Sequence, residues 1–249
     1  MPSFVSEDIT LSYLDQGQGR PILLIHGFAS NKETNWVVPG WVHTLTKAGF
    51  RVIALDNRGH GDSEKLYDPS YYPSTIMAHD AANLIEHLEL GPVDVMGYSM
   101  GARISAFLTL QRPELVRSAV FGGLGQGMID GVGAPGPIID ALEAPSSEHI
   151  SDPTGLAFRE FAERTNSDRM ALAACMRASR QRIKAEEIAR INCPVLVAVG
   201  TKDTIGGSPE ALANHLPNGQ AFWIENRDHM LAVGDHRFKA AVLDFLGTG

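Results

Sequence analysis

The chain has 249 residues, 44% of them hydrophobic and 20% charged, enough to bury the core of one globular domain without staples. A net charge of -8 argues against nucleic-acid binding, which needs a basic face to displace counterions. The two cysteines, Cys175 and Cys193, give neither metal-ligand spacing nor a disulfide framework. Separately, no metal and no organic cofactor is expected. The N-terminal residues show no basic start followed by an apolar run, and no apolar stretch approaches spanning length. The expectation is a cytoplasmic protein with a small-molecule substrate and no membrane partner. Its oligomeric state is not legible.

Residues 3 to 14 alternate loosely, as a strand pair at a sheet edge would, and a turn follows at 15–19. Pro21 to Ile25 is continuously apolar, as a strand buried on both faces would be, and ends at His26-Gly27-Phe28. Trp36 to Ala48 has helical character and Gly49 stops it. Arg51 to Leu55 is a second buried strand, followed by the polar loop Asp56 to Ser63. A helix over Thr75 to Leu90, capped by Ser74, precedes the strand Val93 to Met96. Another helix runs from the Ser99 corner to near Pro113, and Val116 to Phe121 is the next strand. Residues 122 to 137 are rich in glycine and proline, and 138 to 191 read as helical with no buried-strand run. The alternation resumes with Pro194 to Gly200, a helix at Pro209 to Leu216, a strand at Ala221 to Glu225 and a closing helix from Asp235 to Leu246. Alternating strands and helices imply an α/β class, with a mostly parallel, doubly wound sheet interrupted by a helical insertion.

The chemistry centres on Gly97-Tyr98-Ser99-Met100-Gly101, between a strand and a helix. Small residues on both sides let the two elements close together and hold Ser99 out as a nucleophile. A serine hydroxyl needs a histidine base, and the histidine needs a carboxylate to orient it. Active groups in such sheets gather beyond the carboxyl ends of the strands. His229 follows the strand ending at Glu225, and Asp203 follows the strand ending at Gly200. Asp228 is the alternative acid, although adjacent loop side chains usually diverge. Two backbone N–H groups are expected to receive a tetrahedral oxyanion: Met100, at the start of the following helix, and Phe28, in the loop after the early strand.

Taken together, His26-Gly27, the Asp56 to Ser63 loop, the Gly97 to Gly101 elbow, Asp203 and His229 resemble the α/β-hydrolase fold superfamily, in its order of nucleophile, acid and base. The resemblance implies an eight-stranded sheet, with a core of residues 1–122 and 193–249 and a helical cap of 123–192 between the sixth and seventh strands. It also implies that Asp56 and Arg58 pin a structural turn and that His26 shapes the oxyanion loop.

The function expected is a serine hydrolase, esterase- or lactonase-like, that cleaves a small carboxylic ester, lactone or thioester through an acyl-enzyme on Ser99. The same triad serves carbon–carbon bond hydrolases and perhydrolases. A ligand-binding receptor with little turnover is the rival from another class. The cap carries Arg159, Arg164, Arg169, Arg177, Arg180, Arg182, Lys184 and Arg190. Most belong to solvated helix faces, and the sharper expectation is that one meets a substrate carboxylate.

Overall fold

A computed structural model describes residues 2–247. The strands β1 (Ser3–Ser6), β2 (Ile9–Gln16), β3 (Arg20–Ile25), β4 (Phe50–Leu55), β5 (Val93–Tyr98), β6 (Val116–Gly122), β7 (Val195–Gly200) and β8 (Gly219–Ile224) form one eight-stranded sheet. Their order is β1-β2-β4-β3-β5-β6-β7-β8. The first two strands run antiparallel to their neighbours, and every pairing from β4 to β8 is parallel.

The helices are α1 (Trp41–Lys47), α2 (Ser74–His87), α3 (Met100–Gln111), α4 (Gly127–Asp130), α5 (Gly136–Glu143), α6 (Pro153–Arg164), α7 (Arg169–Ala178), α8 (Ala185–Ile188), α9 (Pro209–Ala213), α10 (His229–Ala232) and α11 (His236–Gly247). The period-2 geometry of strand β3 explains its unbroken apolar run. Leu23 and Ile25 join a core that also holds Met77, Ala81, Ile104 and Leu108 of α2 and α3. Ile22 and Leu24 enter the opposite core, with Trp36, Trp41, Phe238 and Val242. Helices therefore cover both faces. Between β6 and β7 the described residues form helices and no strand, and Ile138, Leu142, Ala162, Leu172 and Met176 make a third, smaller cluster with Ala29. No described helix is long and apolar enough to cross a membrane.

Several boundaries differ from the expectation. The segment expected as one helix over 36–48 is a π-helical turn, Glu33–Val37, followed by α1. Pro39 and Gly40, the latter at φ 80°, separate the two. Ser74 does not cap α2. Pro73 occupies that position, and Ser74 is the first helical residue. Its hydroxyl donates to the Ser179 carbonyl at 2.7 Å, and its N–H donates to Gln181 Oε1 at 2.7 Å. The serine thus ties α2 to the segment after α7. Helix α2 also ends at His87 rather than Leu90, with Glu89 at φ 51°.

Candidate active site

The Ser99 corner is built by close approach. Ser99 has φ 55° and ψ -112°, a conformation sparsely populated by residues with side chains. Its N–H donates to the Gly122 carbonyl at 2.8 Å, which anchors the turn to β6. A methyl group on Gly97 would stand 2.1 Å from the Gly101 carbonyl oxygen, and one on Gly101 would stand 1.9 Å from that of Ile25. Neither contact is tolerable, so the two glycines let α3 pack directly on β5 and β3.

Three loops bring their residues to this corner. His229 Nε2 lies 2.9 Å from Ser99 Oγ, and His229 Nδ1 lies 2.7 Å from Asp203 Oδ2. The other carboxylate oxygen of Asp203 accepts from the Ile205 and Gly206 N–H groups, at 2.7 and 3.0 Å. Burial raises the Asp203 pKa, but His229 and these two N–H donors outweigh it and hold the carboxyl below its ordinary value. An ionised Asp203 accepts the proton on Nδ1. That leaves Nε2 of a neutral imidazole as the acceptor for the Ser99 hydroxyl. Asp228 is turned away from the histidine ring, and its Oδ1 accepts from the Met230 and Leu231 N–H groups, capping α10. Among the described residues, the backbone N–H groups of Phe28 and Met100 have no protein acceptor. Both residues line the cavity that holds Ser99 and His229.

That cavity measures about 900 Å³. Besides the residues above, Ile138, Phe158, Phe161 and Met176 line it from the helices between β6 and β7. Most other histidines stand apart, on α2, on α11 or at the surface. His26 and His60 are fully buried. His26 Nδ1 meets the Gly27 carbonyl at 2.8 Å, and Nε2 accepts from the Asn57 N–H at 3.0 Å. With burial lowering its pKa, it acts as a neutral brace under the Phe28 loop.

The Asp56 loop is likewise braced from within. Asp56 accepts from the Lys32 N–H at 2.7 Å, the Lys32 ammonium at 2.5 Å and the Asp62 N–H at 2.9 Å. Arg58 grips Asp80 through two bonds of 2.7 Å. Among the described residues, no group of three His, Cys, Asp or Glu side chains is placed to hold a metal ion.

His60 carries an acid-stability prediction. Burial, then the neighbouring His26, pushes its pKa down to about 3. The unfolded chain, with a histidine pKa of about 6.5, therefore binds the extra proton first. The stabilisation is complete above pH ~6.5 and is lost as pH falls towards 3, by about 2 kcal/mol at pH 5. Urea unfolding at pH 7 and pH 5 should show this loss. In His60→Asn, whose amide can donate to the Arg58 carbonyl that His60 Nδ1 meets at 2.9 Å, that share of the pH slope should vanish. An unchanged slope would contradict the assignment.

Three contributors at this site had no signal of their own in the sequence. The Tyr98 hydroxyl donates to the His229 carbonyl at 2.6 Å, so the residue before the nucleophile fixes the backbone of the base. Asn35 Oδ1 accepts from the Gly27 N–H at 3.1 Å, and the Thr165 hydroxyl donates to the Ala29 carbonyl at 3.0 Å. These last two hold both flanks of Phe28.

An eight-stranded α/β sheet with a serine, a histidine and an aspartate converging at its strand ends describes a class of hydrolase. Comparison with known proteins agrees. The family model for the α/β hydrolase fold matches residues 20–136. The chain is 31% identical over 246 residues to an (E)-2-((N-methylformamido)methylene)succinate hydrolase of Acinetobacter baylyi, spanning 91% of this chain and 90% of that one. It is 28% identical over 280 residues to the non-heme chloroperoxidase CPO-A1 of Kitasatospora aureofaciens, spanning 99% of each. Among solved structures, the enol-lactonase from Burkholderia xenovorans LB400 superposes with a TM-score of 0.80 at 20% identity, over 99% of this chain and 100% of that one. The chain belongs to the α/β-hydrolase fold family and is an α/β-fold hydrolase.

Proposed function

We propose that the enzyme cleaves a small carboxylic ester, lactone or thioester through an acyl-enzyme on Ser99. One observation carries this reading: the continuous relay from Ser99 Oγ through His229, at 2.9 Å, to Asp203, at 2.7 Å, opening on a cavity of about 900 Å³. His229 Nε2 removes the hydroxyl proton as Ser99 Oγ attacks the substrate carbonyl carbon. The carbonyl oxygen gains the negative charge and is received by the Phe28 and Met100 N–H groups. As the carbon–leaving-group bond breaks, His229 returns the proton to the departing atom. Water then takes the leaving group's place, gives a proton to His229 and attacks the acyl carbon. The acid is released and Ser99 regains its hydrogen. Asp203 holds the imidazole in orientation and stabilises its charged form throughout.

In this reading residues 1–122 and 193–249 are the catalytic core, and 123–192 are a cap that roofs the pocket. A second acyl acceptor is worth testing, because one full-length relative is named a chloroperoxidase. Hydrogen peroxide in place of water would release a peracid from the same acyl-enzyme.

A fluorophosphonate probe tests the proposal. It should phosphonylate Ser99 stoichiometrically and abolish turnover of short-chain nitrophenyl esters, lactones and thioesters together. Turnover that survives full labelling would overturn it, and an unlabelled protein without turnover would favour a receptor.

A further inference from the structure

Four cations are buried among the described residues: Lys32, Arg58, Arg103 and Arg159. Three of them meet a carboxylate. Lys32 lies 2.5 Å from Asp56 and 2.8 Å from Asp62, Arg58 lies 2.7 Å from Asp80, and Arg159 lies 2.5 Å from Glu163. Arg103, only 2% exposed, has no carboxylate partner among the described residues. It stands on α3 one turn beyond Ser99, with its N–H 3.3 Å from the Ser99 carbonyl, and it lines the same cavity. A charge removed from water without a counter-ion is costly, so its retention here calls for a ligand.

The chemistry of that ligand follows from the donors left over. Arg103 Nη1 donates to the Met128 and Gln181 carbonyls, at 3.2 and 2.5 Å. Its Nε and Nη2 have no acceptor among the described residues. This protein already shows what that edge of a guanidinium takes. Arg20, Arg51 and Arg58 each grip both oxygens of an aspartate through Nε and Nη2, at distances of 2.5 to 3.0 Å.

Two further arginines line the wall, and one of them, Arg164, lies over the Phe161 ring. Arg180, partly buried in the same cavity, donates through Nη1 to the Val132 and Gly133 carbonyls and also lacks a carboxylate partner among the described residues. The acids that line the cavity, Asp152 and Glu160, pair with neither Arg103 nor Arg180. Burial, and then the charges of Arg180 and Arg182, push the Arg103 pKa down to about 10, the direction expected of a buried cation with no carboxylate beside it.

We propose that Arg103 and Arg180 form an anion subsite that binds a carboxylate of the substrate, separate from the carbonyl that Ser99 attacks. The natural substrate is then an ester, lactone or thioester that bears a free carboxylate. A guanidinium fork matches a carboxylate with two parallel bonds, which gives both orientation and selectivity. The inference rests on the reading of Ser99 as the nucleophile.

The experiment compares kcat/KM for 4-nitrophenyl hydrogen adipate with that for its methyl ester, which has the same chain without the charge. The wild-type enzyme should prefer the acid by about tenfold or more. In Arg103→Met the ratio of acid to methyl ester should fall towards unity, and in Arg180→Met it should fall in the same direction. Should Arg103→Met fail to fold, Arg180→Met and competitive inhibition of the wild-type enzyme decide the matter. Free adipate should inhibit at least tenfold more strongly than its neutral diamide, adipamide, on the same footing. Equal turnover of the two esters, or a preference that survives both substitutions, would overturn the subsite. Ser99→Ala separates the two claims: turnover of both esters that persists there overturns the nucleophile instead.

Discussion

Replacing Asp203 with asparagine should lower kcat for ester substrates by about 10⁴-fold, with little change in KM. The two oxygens of the carboxylate have different partners. One oxygen accepts from the Ile205 and Gly206 N–H groups, and the other faces His229 Nδ1 at 2.7 Å. An asparagine will present its oxygen to the two backbone donors, which require an acceptor. Its amide N–H₂ is then turned to His229. Nδ1 must become an acceptor, the imidazole proton moves to Nε2, and the nitrogen facing Ser99 can no longer take a proton. The fold stays intact while the base has the wrong tautomer. Asp228→Asn is the matched control. Asparagine caps a helix as well as aspartate does, so activity there should stay within a few fold. Full activity in Asp203→Asn with loss in Asp228→Asn would reverse the assignment.

The second large effect is structural. Gly101→Ala places a methyl carbon 1.9 Å from the Ile25 carbonyl oxygen and 2.7 Å from that of His26. Both atoms are main chain, and Ile25 is locked between β4 and β5 by its register with Leu55 and Gly97. Neither atom can yield without separating α3 from β3. The substitution should cost about 3 kcal/mol or more in urea unfolding, at the severe end for a single added methyl. It should also damage activity in whatever folds, because the displaced strand leads straight into Phe28. Gly91→Ala, at an exposed position where an added methyl meets nothing within 4 Å, should be neutral within about 0.5 kcal/mol. Equal stability in the two variants would show that the tight elbow is not the constraint described.

Much of this was legible because parallel strands buried on both faces read as unbroken apolar runs. Ile22 to Ile25 and Val195 to Val199 could be placed for that reason, and the residues just past their ends were candidates by position alone. Ser99 and Asp203 lie at such ends, His229 follows the half-exposed edge strand β8, and the structure brings the three within hydrogen-bond distance. What stayed hidden depends on partners far apart in the chain. Ser74 looked like a cap, yet its hydroxyl is taken by a carbonyl 105 residues away. Thr165 shows no local pattern, although it holds the loop that carries Phe28.

The arginines are the clearest case. The sequence displayed eight basic residues between 159 and 190 without indicating that two of them, Arg164 and Arg180, line the pocket. Nothing in it pointed to Arg103, which lies on a helix of the core. Only the count of buried cations against their carboxylates singles it out.

The central claim is that a covalent acyl group passes through Ser99. Rapid quenching of the enzyme with excess 4-nitrophenyl acetate, followed by peptide mass spectrometry, tests it most directly. The account predicts a burst of one equivalent of nitrophenol per active site and an acetyl group on the peptide that contains Ser99, with both absent in Ser99→Ala. Sustained turnover in Ser99→Ala, or acetylation of a different residue on the catalytic timescale, would contradict it.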